Sequence, residues 1–222
     1  MKNLVLILSL IAIGGCAVED EDRTVKTTFI ETFPKSIINK VTSPDVGMSY
    51  SLNPYQGCEH GCVYCYARNS HEYWGYGAGI DFESKILIKK TAPQLLEKKL
   101  QSKSWKAATI ALSGNTDCYQ PIEKSLKITR QLLKVFLKYK HPVGIITKNA
   151  LIQRDLDILT ELAKDNLVSV YLSITSLNEQ TRRLLEPRTA SIKLSALSAL
   201  SGKYFTQERP VNILVFLNVL SG

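Results

Sequence analysis

Short apolar segments alternate with longer segments of helical pattern along most of the chain after residue 45. Apolar runs bounded by polar or turn-forming residues predict strands, and five such runs lie at residues 48–52, 108–112, 143–147, 168–174 and 211–220. Between them, apolar residues recur at spacings of three and four, which predicts helices at residues 92–101, 122–139, 151–164, 178–185 and 191–200. This alternation is typical of βαβ units, so we predict an α/β fold with a parallel sheet.

Polar and thiol-bearing residues follow four of the predicted strands at the point where each strand ends. A cysteine-rich loop begins at Cys58, and the segment 113–117 reads Ser-Gly-Asn-Thr-Asp. Lys148 and Thr175 follow the next two strands. Because ligands of parallel α/β folds bind at the carboxyl ends of the strands, we predict that these four segments converge on one site.

The cysteine loop places three thiols in a C-x3-C-x2-C pattern, at Cys58, Cys62 and Cys65. Thiolates are soft ligands suited to iron–sulfur clusters, and their close spacing lets all three reach one face of a cluster. The fourth iron then lacks a cysteine, and an open metal position can bind a substrate or cofactor. Gly57 and Gly61 permit the tight backbone path that such a loop requires.

A structural zinc site is the alternative for these thiols. It would combine the three cysteines with His60, His71 or Cys118. Zinc sites usually carry a second ligand pair at a distance, and the sequence shows no such pair. The five cysteines are an odd number with three of them clustered, which also argues against a disulfide framework.

The loop resembles the signature of a known superfamily. With Tyr64 as the aromatic residue, C-x3-C-x-aromatic-C is similar to the radical S-adenosylmethionine (SAM) signature. The string at 54–74 resembles the branch related to spore photoproduct lyase, a DNA repair enzyme, and the likeness runs from about residue 24 to residue 188. It implies a partial TIM-type barrel of β/α units, about five strands of which are present.

The resemblance also implies a chemistry and a set of ligands. The three cysteines would bind a [4Fe-4S] cluster, and S-adenosylmethionine would chelate the open iron. An electron from an intracellular donor would then cleave it to methionine and a 5′-deoxyadenosyl radical, as in a lyase-like radical SAM enzyme. The cofactor contacts that the resemblance implies are Tyr64, Ser113, Gly114, Asn115, Lys148 and Ser173.

Each of these polar residues also has a plainer interpretation. The segment 113–117 on its own is a turn signal, and Lys148 and Ser173 could be strand-end caps. Lys148 suits a cofactor carboxylate because it presents a point charge. Arg188 could reach the same pocket as a carboxylate partner, or could form a surface ion pair with Glu186.

Cys118 lies close to the position where the lyase relatives carry a hydrogen-donating cysteine. That position corresponds to Gly114 or Asn115 in this chain, so Cys118 is a neighbour of it and not a match. We therefore predict that Cys118 is a buried structural residue.

The charge balance makes an anionic partner electrostatically plausible. Lys and Arg outnumber Asp and Glu by 28 to 20, for a net charge of +8. The excess fits a nucleic-acid partner, and it also fits solvated helix faces. His71, Tyr73 and Trp74 follow the cysteine loop among glycines, where they could stack on a base or pack the loop itself.

Residues 1–22 resemble a bacterial lipoprotein signal. Lys2 precedes an apolar run at residues 4–13, and Cys16 follows two glycines. The run is too short to span a bilayer comfortably, and the alternative is an extraneous segment fused to the domain. Because a radical SAM cluster needs intracellular reductant, we expect a cytoplasmic location, with lipid attachment at Cys16 as the alternative.

Residues 23–222 form the predicted radical SAM core. The core of that superfamily has six β/α units, whereas the last strand predicted in this chain is the fifth. We therefore expect a core that is incomplete at its C-terminus, as in a truncated gene product. The alternatives to an active enzyme are a non-catalytic metal-binding module and an inactive fragment.

Overall fold

The computed structural model describes residues 26–42, 48–191 and 212–217. Within these ranges the strands are β1 (Thr28–Glu31), β2 (Ile38–Lys40), β3 (Tyr50–Leu52), β4 (Tyr55–Gln56), β5 (Lys85–Ile88), β6 (Ile110–Leu112), β7 (Val143–Thr147), β8 (Val168–Ile174) and β9 (Asn212–Leu217). The α-helices are α1 (Ile80–Ser84), α2 (Ala92–Leu100), α3 (Glu123–Leu126), α4 (Ile128–Lys138), α5 (Leu156–Lys164) and α6 (Glu179–Leu185). Two 3₁₀ segments are Tyr66–Trp74 and Ala150–Asp155.

The main sheet has six strands in the order β2-β3-β6-β7-β8-β9. The strands from β3 to β9 in this order run parallel to one another, and β2 is an antiparallel edge strand. A second sheet contains β1, β5 and β4, with β1 parallel and β4 antiparallel to β5. The parallel main sheet with intervening helices confirms the predicted α/β fold.

The predicted strands correspond to the parallel strands of the main sheet. β7 and β8 match their predictions at both ends, and β3 and β6 each begin two residues later than predicted. The prediction at 211–220 contains β9, and its other residues lie outside the described ranges, as do residues 1–22 and 192–200. Strands β1, β2, β4 and β5 were not predicted, and none of them exceeds four residues.

The single helix predicted at 122–139 is two helices, α3 and α4, separated at Lys127. Lys127 has a φ of 54°, in the left-handed region that interrupts a helix. The Glu123 carboxylate then accepts hydrogen bonds from the backbone N–H groups of Thr129 (3.0 Å) and Arg130 (3.4 Å), at the start of α4. A side chain from the preceding helix therefore caps the new one.

The helix predicted at 151–164 also has two parts, since its first turns are 3₁₀ and only α5 is α-helical. Asn149 begins the 3₁₀ segment by accepting a hydrogen bond from the Leu151 N–H at 2.9 Å. Asn178 caps α6 in the same way, accepting from the Thr181 N–H at 3.0 Å. Both caps follow the preference of asparagine for helix starts, and α6 matches the prediction at 178–185 within one residue.

A largely buried cluster of charged side chains joins α3 to the segment before α5. Arg154 lies 2.7 Å from both Glu123 and Asp155, whose side chains are fully buried. The Tyr55 hydroxyl donates to Glu123 at 2.5 Å, and the Tyr119 hydroxyl donates to Asp155 at 3.1 Å. These contacts give the buried polar groups hydrogen-bond partners. They also connect β4, α3 and the segment before α5 in one polar network.

The carboxyl ends of β3, β6, β7 and β8 lie side by side at one edge of the main sheet, as the parallel register requires. The cysteine loop follows β4, which is held by antiparallel pairing to β5. This arrangement brings the loop and the strand ends to the same edge. None of the helices in the described ranges is long and apolar enough to cross a membrane.

Candidate functional site

A cavity of about 260 Å³ lies at this edge of the sheet. Of the three cysteines and the six cofactor contacts predicted from the sequence, all but Gly114 line it: Cys58, Cys62, Tyr64, Cys65, Ser113, Asn115, Lys148 and Ser173. Tyr66, His60, Asp117 and Thr147 also line it. The cysteine loop, the segment 113–117, Lys148 and the last part of β8 thus lie around one cavity, and Thr175 lies beside it, 3.2 Å from Lys148.

Two glycines let the cysteine loop turn tightly. Gly57 and Gly61 have φ angles of 79° and 67°, in the region that favours glycine. A Cβ on Gly57 would lie 2.9 Å from the carbonyl oxygen of Phe82. A Cβ on Gly61 would lie 2.8 Å from a Glu83 carboxylate oxygen and would overlap the guanidinium of Arg188. The loop thus needs glycine at both positions for conformation and for space.

Gln120 contacts the backbone of the cysteine loop through its side chain and was not predicted from the sequence. Its buried side-chain oxygen accepts from the Glu59 N–H at 2.9 Å, and its amide nitrogen donates to the Gly57 carbonyl at 3.2 Å. The Glu59 carboxylate in turn accepts from the Ile122 N–H at 2.8 Å. The sequence carried no signal for this contact, because a glutamine between a tyrosine and a proline is unremarkable until the fold places it under the loop.

Three charged residues hold the other side of the loop. Glu83 accepts from Arg68 at 2.5 Å and from Arg188 at 2.6 Å. Arg68 also donates to the Cys62 carbonyl at 2.9 Å, and Arg188 donates to the Glu59 carbonyl. The loop backbone is therefore fixed by side chains from three separate parts of the chain.

Arg188 does not have the partner expected from the sequence. Its ion pair is with Glu83, and Glu186 pairs instead with Lys148, at 2.7 Å. Arg188 contacts the back of the cysteine loop and is absent from the described lining of the cavity. Both hypotheses for Arg188, as a cavity residue and as the partner of Glu186, are therefore wrong.

Lys148 is the centre of a polar cluster at the cavity wall. Besides Glu186, its Nζ contacts the hydroxyl oxygens of Ser173 at 2.8 Å and Thr175 at 3.2 Å. The Tyr64 hydroxyl donates to Glu186 and lies 2.7 Å from the Thr175 hydroxyl. These contacts connect the cysteine loop to the ends of β7 and β8 and to the segment after α6.

The Lys148–Glu186 pair is charged. Burial alone would lower the pKa of Lys148, but the Glu186 carboxylate outweighs burial and raises this pKa well above its ordinary value. Burial alone would raise the pKa of Glu186, but the Lys148 ammonium lowers it on balance. Each group therefore keeps the other ionised in a largely buried place.

Asp117 ties the segment 113–117 to the end of β7. Its carboxylate accepts from the Thr147 hydroxyl at 2.8 Å and from the Lys148 N–H at 2.8 Å. The ring of His60 is buried beside it, with Nδ1 3.4 Å from an Asp117 oxygen and without a hydrogen bond there. Burial lowers the pKa of His60, although the nearby Asp117 carboxylate opposes this shift. The lowered pKa favours a neutral ring.

Ser113, Gly114 and Asn115 form a compact turn after β6. Ser113 has a φ of 78°, and its hydroxyl accepts from the Cys118 N–H at 2.6 Å. A Cβ on Gly114 would lie 2.9 Å from the Cβ of Ser51, so this glycine permits close packing against β3. The Asn115 N–H donates to the Asn53 side chain at 2.8 Å. The turn is thus held in place by β3 and by its own side chains.

The three cysteines of the loop are free thiols in the structure. Burial, together with the Asp117 carboxylate, raises the pKa of Cys58 well above its ordinary value, and burial raises the pKa of Cys62 to about 12. A coordinated metal reverses this preference, because a coordinating thiol is deprotonated outright. Three sulfur donors around one cavity therefore fit a thiophilic metal group such as an iron–sulfur cluster.

Among the described residues, no group of three His, Cys, Asp or Glu side chains is placed to hold a single metal ion. Cys118 is fully buried in the main hydrophobic core and does not line the cavity, so the predicted burial of this cysteine is confirmed. His71 packs against the loop: its ring lies close to Gly57, and it is nearly perpendicular to the Phe82 ring, with 5.5 Å between the ring centroids. Tyr73 is 92% exposed, so it does not share that role.

Comparison with known proteins gives the family. A model of the Radical SAM superfamily matches residues 52–219. An uncharacterized protein of Mycobacterium tuberculosis is 34% identical over 163 residues, covering 73% of this chain and 48% of that protein. An uncharacterized protein of Methanocaldococcus jannaschii is 32% identical over 167 residues, covering 75% of this chain and 59% of that protein. The chain thus spans about half the length of the curated relatives it matches.

Solved structures of spore photoproduct lyase share the fold. A mutant with bound AdoMet and dinucleoside spore photoproduct has a TM-score of 0.57 and 14% identity, covering 86% of this chain and 50% of that chain. A second complex of the lyase has a TM-score of 0.55 over the same shares. The likeness confirms a partial barrel equivalent to about half of the lyase chain. Since the family model covers most of the chain, including the cysteine loop and every strand end around the cavity, the protein belongs to the radical SAM superfamily.

Proposed function

We propose that the chain binds a [4Fe-4S] cluster through Cys58, Cys62 and Cys65 and binds S-adenosylmethionine in the adjoining cavity. The observation that carries the proposal is the position of these three cysteines, which line one cavity together with polar strand ends. When bound, the cluster supplies an electron for the reductive cleavage of S-adenosylmethionine to methionine and a 5′-deoxyadenosyl radical. An electron donor and a reducing compartment belong to the same proposal.

The protein's own part is to hold the thiolates and to leave one side of the cluster open. Gln120 holds the carbonyl before Cys58, and Arg68 holds the carbonyl of Cys62. These contacts fix the loop backbone, so the three sulfurs keep their relative positions while a ligand exchanges in the cavity. Fixed supporting contacts of this kind orient metal ligands in other sites.

Lys148 and Ser173 are the proposed partners of the cofactor's carboxylate and ribose, and Asn115 and Tyr64 are proposed to line the same pocket. The Lys148 ammonium has three donors, and the structure directs them at Glu186, Ser173 and Thr175. A bound carboxylate would therefore replace one of the two hydroxyl contacts. The longer of these, at 3.2 Å to Thr175, is the one we expect to be exchanged. Gly114 is proposed only to permit close packing of the turn.

We further propose a nucleic-acid substrate. Tyr66 lines the cavity while remaining 79% exposed, and it begins the 3₁₀ segment that also carries the exposed Tyr73 and Trp74. Exposed aromatic rings stack on unpaired bases, for about 1–3 kcal/mol per base. The net charge of +8 would attract the phosphate backbone. The solved lyase with a bound dinucleoside has the same fold, which supports this substrate class.

Anaerobic reconstitution with iron and sulfide tests the proposal. We expect about four irons per chain and a cluster absorption band, both lost in the Cys58→Ser, Cys62→Ser and Cys65→Ser variants. Cys118→Ser is the matched control, because this thiol lies in the core and not at the cavity. 5′-Deoxyadenosine formed after reduction in the presence of S-adenosylmethionine reports the activity. Stoichiometric zinc without bound sulfide would contradict the proposal.

A further inference from the structure

Glu83 lies behind the cysteine loop, between two guanidinium groups. Its two carboxylate oxygens lie 2.5 Å from Arg68 and 2.6 Å from Arg188. The Glu83 side chain is only 9% exposed, and both arginines are largely covered. In the described part of the chain, the residues that line the cavity include none of these three. These three side chains are therefore not positioned to contact a substrate or cofactor placed in that cavity.

Both guanidinium groups contact the backbone of the cysteine loop. Arg68 donates twice to the Cys62 carbonyl, at 2.9 and 3.2 Å, and Arg188 donates to the Glu59 carbonyl. The Arg188 backbone N–H also donates to the His60 carbonyl at 3.3 Å. The carbonyl of one proposed iron ligand and two carbonyls between the first and second ligands are thus held by the pair of arginines.

The three side chains bring a net positive charge close to the loop. Two guanidinium groups carry one positive charge each, and Glu83 offsets one of them. Charge close to an iron–sulfur cluster shifts its reduction potential, and positive charge favours the reduced form, which carries one more electron. The low exposure of the three side chains limits the screening of this charge by water.

We infer that Glu83 is a positioning residue that holds Arg68 and Arg188 against the cysteine loop and, by offsetting one of their charges, lowers the reduction potential of the cluster. The inference rests on the proposed function, since it concerns a cluster on the three cysteines. It goes beyond the proposed ligands, because it assigns control of the reduction potential to three residues that are not iron ligands.

Redox titration of the reconstituted protein, followed by the spectrum of the one-electron-reduced cluster, tests the electrostatic part. Glu83→Gln should shift the midpoint potential to a more positive value, and Arg188→Gln should shift it to a more negative value. The double variant restores the net charge and should return the potential towards that of the wild type. Glu97→Gln is the control, because it removes an exposed ion pair with Lys138 that lies on other helices.

The opposite signs expected for the potential shifts of Glu83→Gln and Arg188→Gln distinguish electrostatic tuning of the cluster from structural support of the loop. A merely structural role would change the potential in the same direction in both single variants, or would make the double variant the worst of the three. Either result, or unchanged potentials throughout, overturns the inference. If Glu83→Gln retains no cluster, Arg188→Gln and Arg188→Lys decide the question. Arg188→Gln removes the positive charge and should lower the potential, whereas Arg188→Lys keeps the charge and should leave the potential close to that of the wild type; equal shifts in both variants overturn the tuning.

The metal-free protein tests the positioning part separately. Cys58 and Cys62 are each 8% exposed, so their thiols should react slowly with an aromatic disulfide reagent. Glu83→Gln should increase the labelling rate of both thiols several-fold, while Cys118, fully buried elsewhere, stays unreactive. Equal rates in the variant and the wild type refute positioning. A wild-type protein that binds no cluster refutes the proposed function and the tuning, whereas the labelling result still decides whether Glu83 holds the loop.

Discussion

The ammonium of Lys148 lies 2.7 Å from the carboxylate of Glu186, and this buried pair joins the end of β7 to the segment that follows α6. It also places a hydrogen-bond acceptor against the hydroxyl of Tyr64 in the cysteine loop. The pair therefore links three separate segments at the wall of the cavity. Its charge state and its exchangeable contacts lead to the first two predictions.

Glu186→Gln should lower the free energy of unfolding of the metal-free protein by about 1–3 kcal/mol at pH 7, because it leaves Lys148 without its anionic partner. The pKa of Glu186 is lowered from 4.5, so its contribution is present above that pH and is lost as the pH falls through the folded-state pKa. Denaturant unfolding at pH 7 and at pH 4 or below checks this. The difference between variant and wild type should shrink in acid, and a constant difference would count against the ion pair.

Lys148→Met should weaken S-adenosylmethionine binding roughly tenfold to a hundredfold in the reconstituted protein, which is the loss of one charged hydrogen bond of about 1.5–3 kcal/mol. Iron content should be unchanged, because Lys148 supplies no thiolate. Equilibrium binding and iron analysis on the same samples check both statements. Lys138→Met, at an exposed position on α4, is the control. Equal affinity in both variants would remove Lys148 from the proposed pocket.

Gln120→Leu should destabilise the protein by about 1–3 kcal/mol, because it leaves the Glu59 N–H and the Gly57 carbonyl without partners in a buried place. The loop should then lose iron faster when a chelator is added. Thermal unfolding and the rate of iron release are the measurements. Gln131→Leu, at an exposed position of α4, should change neither quantity by a comparable amount.

Glu123→Ala should cost about 3–5 kcal/mol of folding free energy, because it leaves Arg154 with one fewer partner and the Tyr55 hydroxyl with none in the buried cluster. It also removes the cap of α4. Urea denaturation compares this variant with Glu161→Ala, whose carboxylate is half exposed and should contribute less than about 1 kcal/mol. A loss below that of the control would show that the cluster contributes little.

The parts of the fold that could be predicted are those with a long local pattern. β7 and β8 are mainly apolar segments of five and seven residues, with alternating burial along β8, and both were predicted to the residue. β4 and β5 have only two and four residues. Their antiparallel pairing with each other defines these strands, and their sequences show no alternating apolar pattern long enough to predict them. The break at Lys127 was missed because it depends on the Glu123 carboxylate, which competes for the N–H groups of the next turn.

The residues of the candidate site likewise fall into those that the sequence could predict and those that it could not. Residues at strand ends could be predicted, because the parallel register places them at one edge whatever their partners are. Ion pairs across long separations could not: Arg188 and Glu83 are 105 residues apart, and nothing local distinguishes Glu83 from Glu186 as a partner. Gln120 was missed for a related reason, since it lies 61 residues from the N–H that it accepts from.

The order of these residues along the chain has a consequence for biosynthesis. The cysteine loop leaves the ribosome well before Arg188, one of the side chains that hold its backbone. At roughly 5–20 residues per second, the interval is on the order of ten seconds. Throughout that time the nascent chain carries three thiols on a loop that has not yet acquired its final support. The proposed cluster would therefore be inserted after this part of the chain is complete, and we expect the thiols of the nascent chain to need a reducing environment until then.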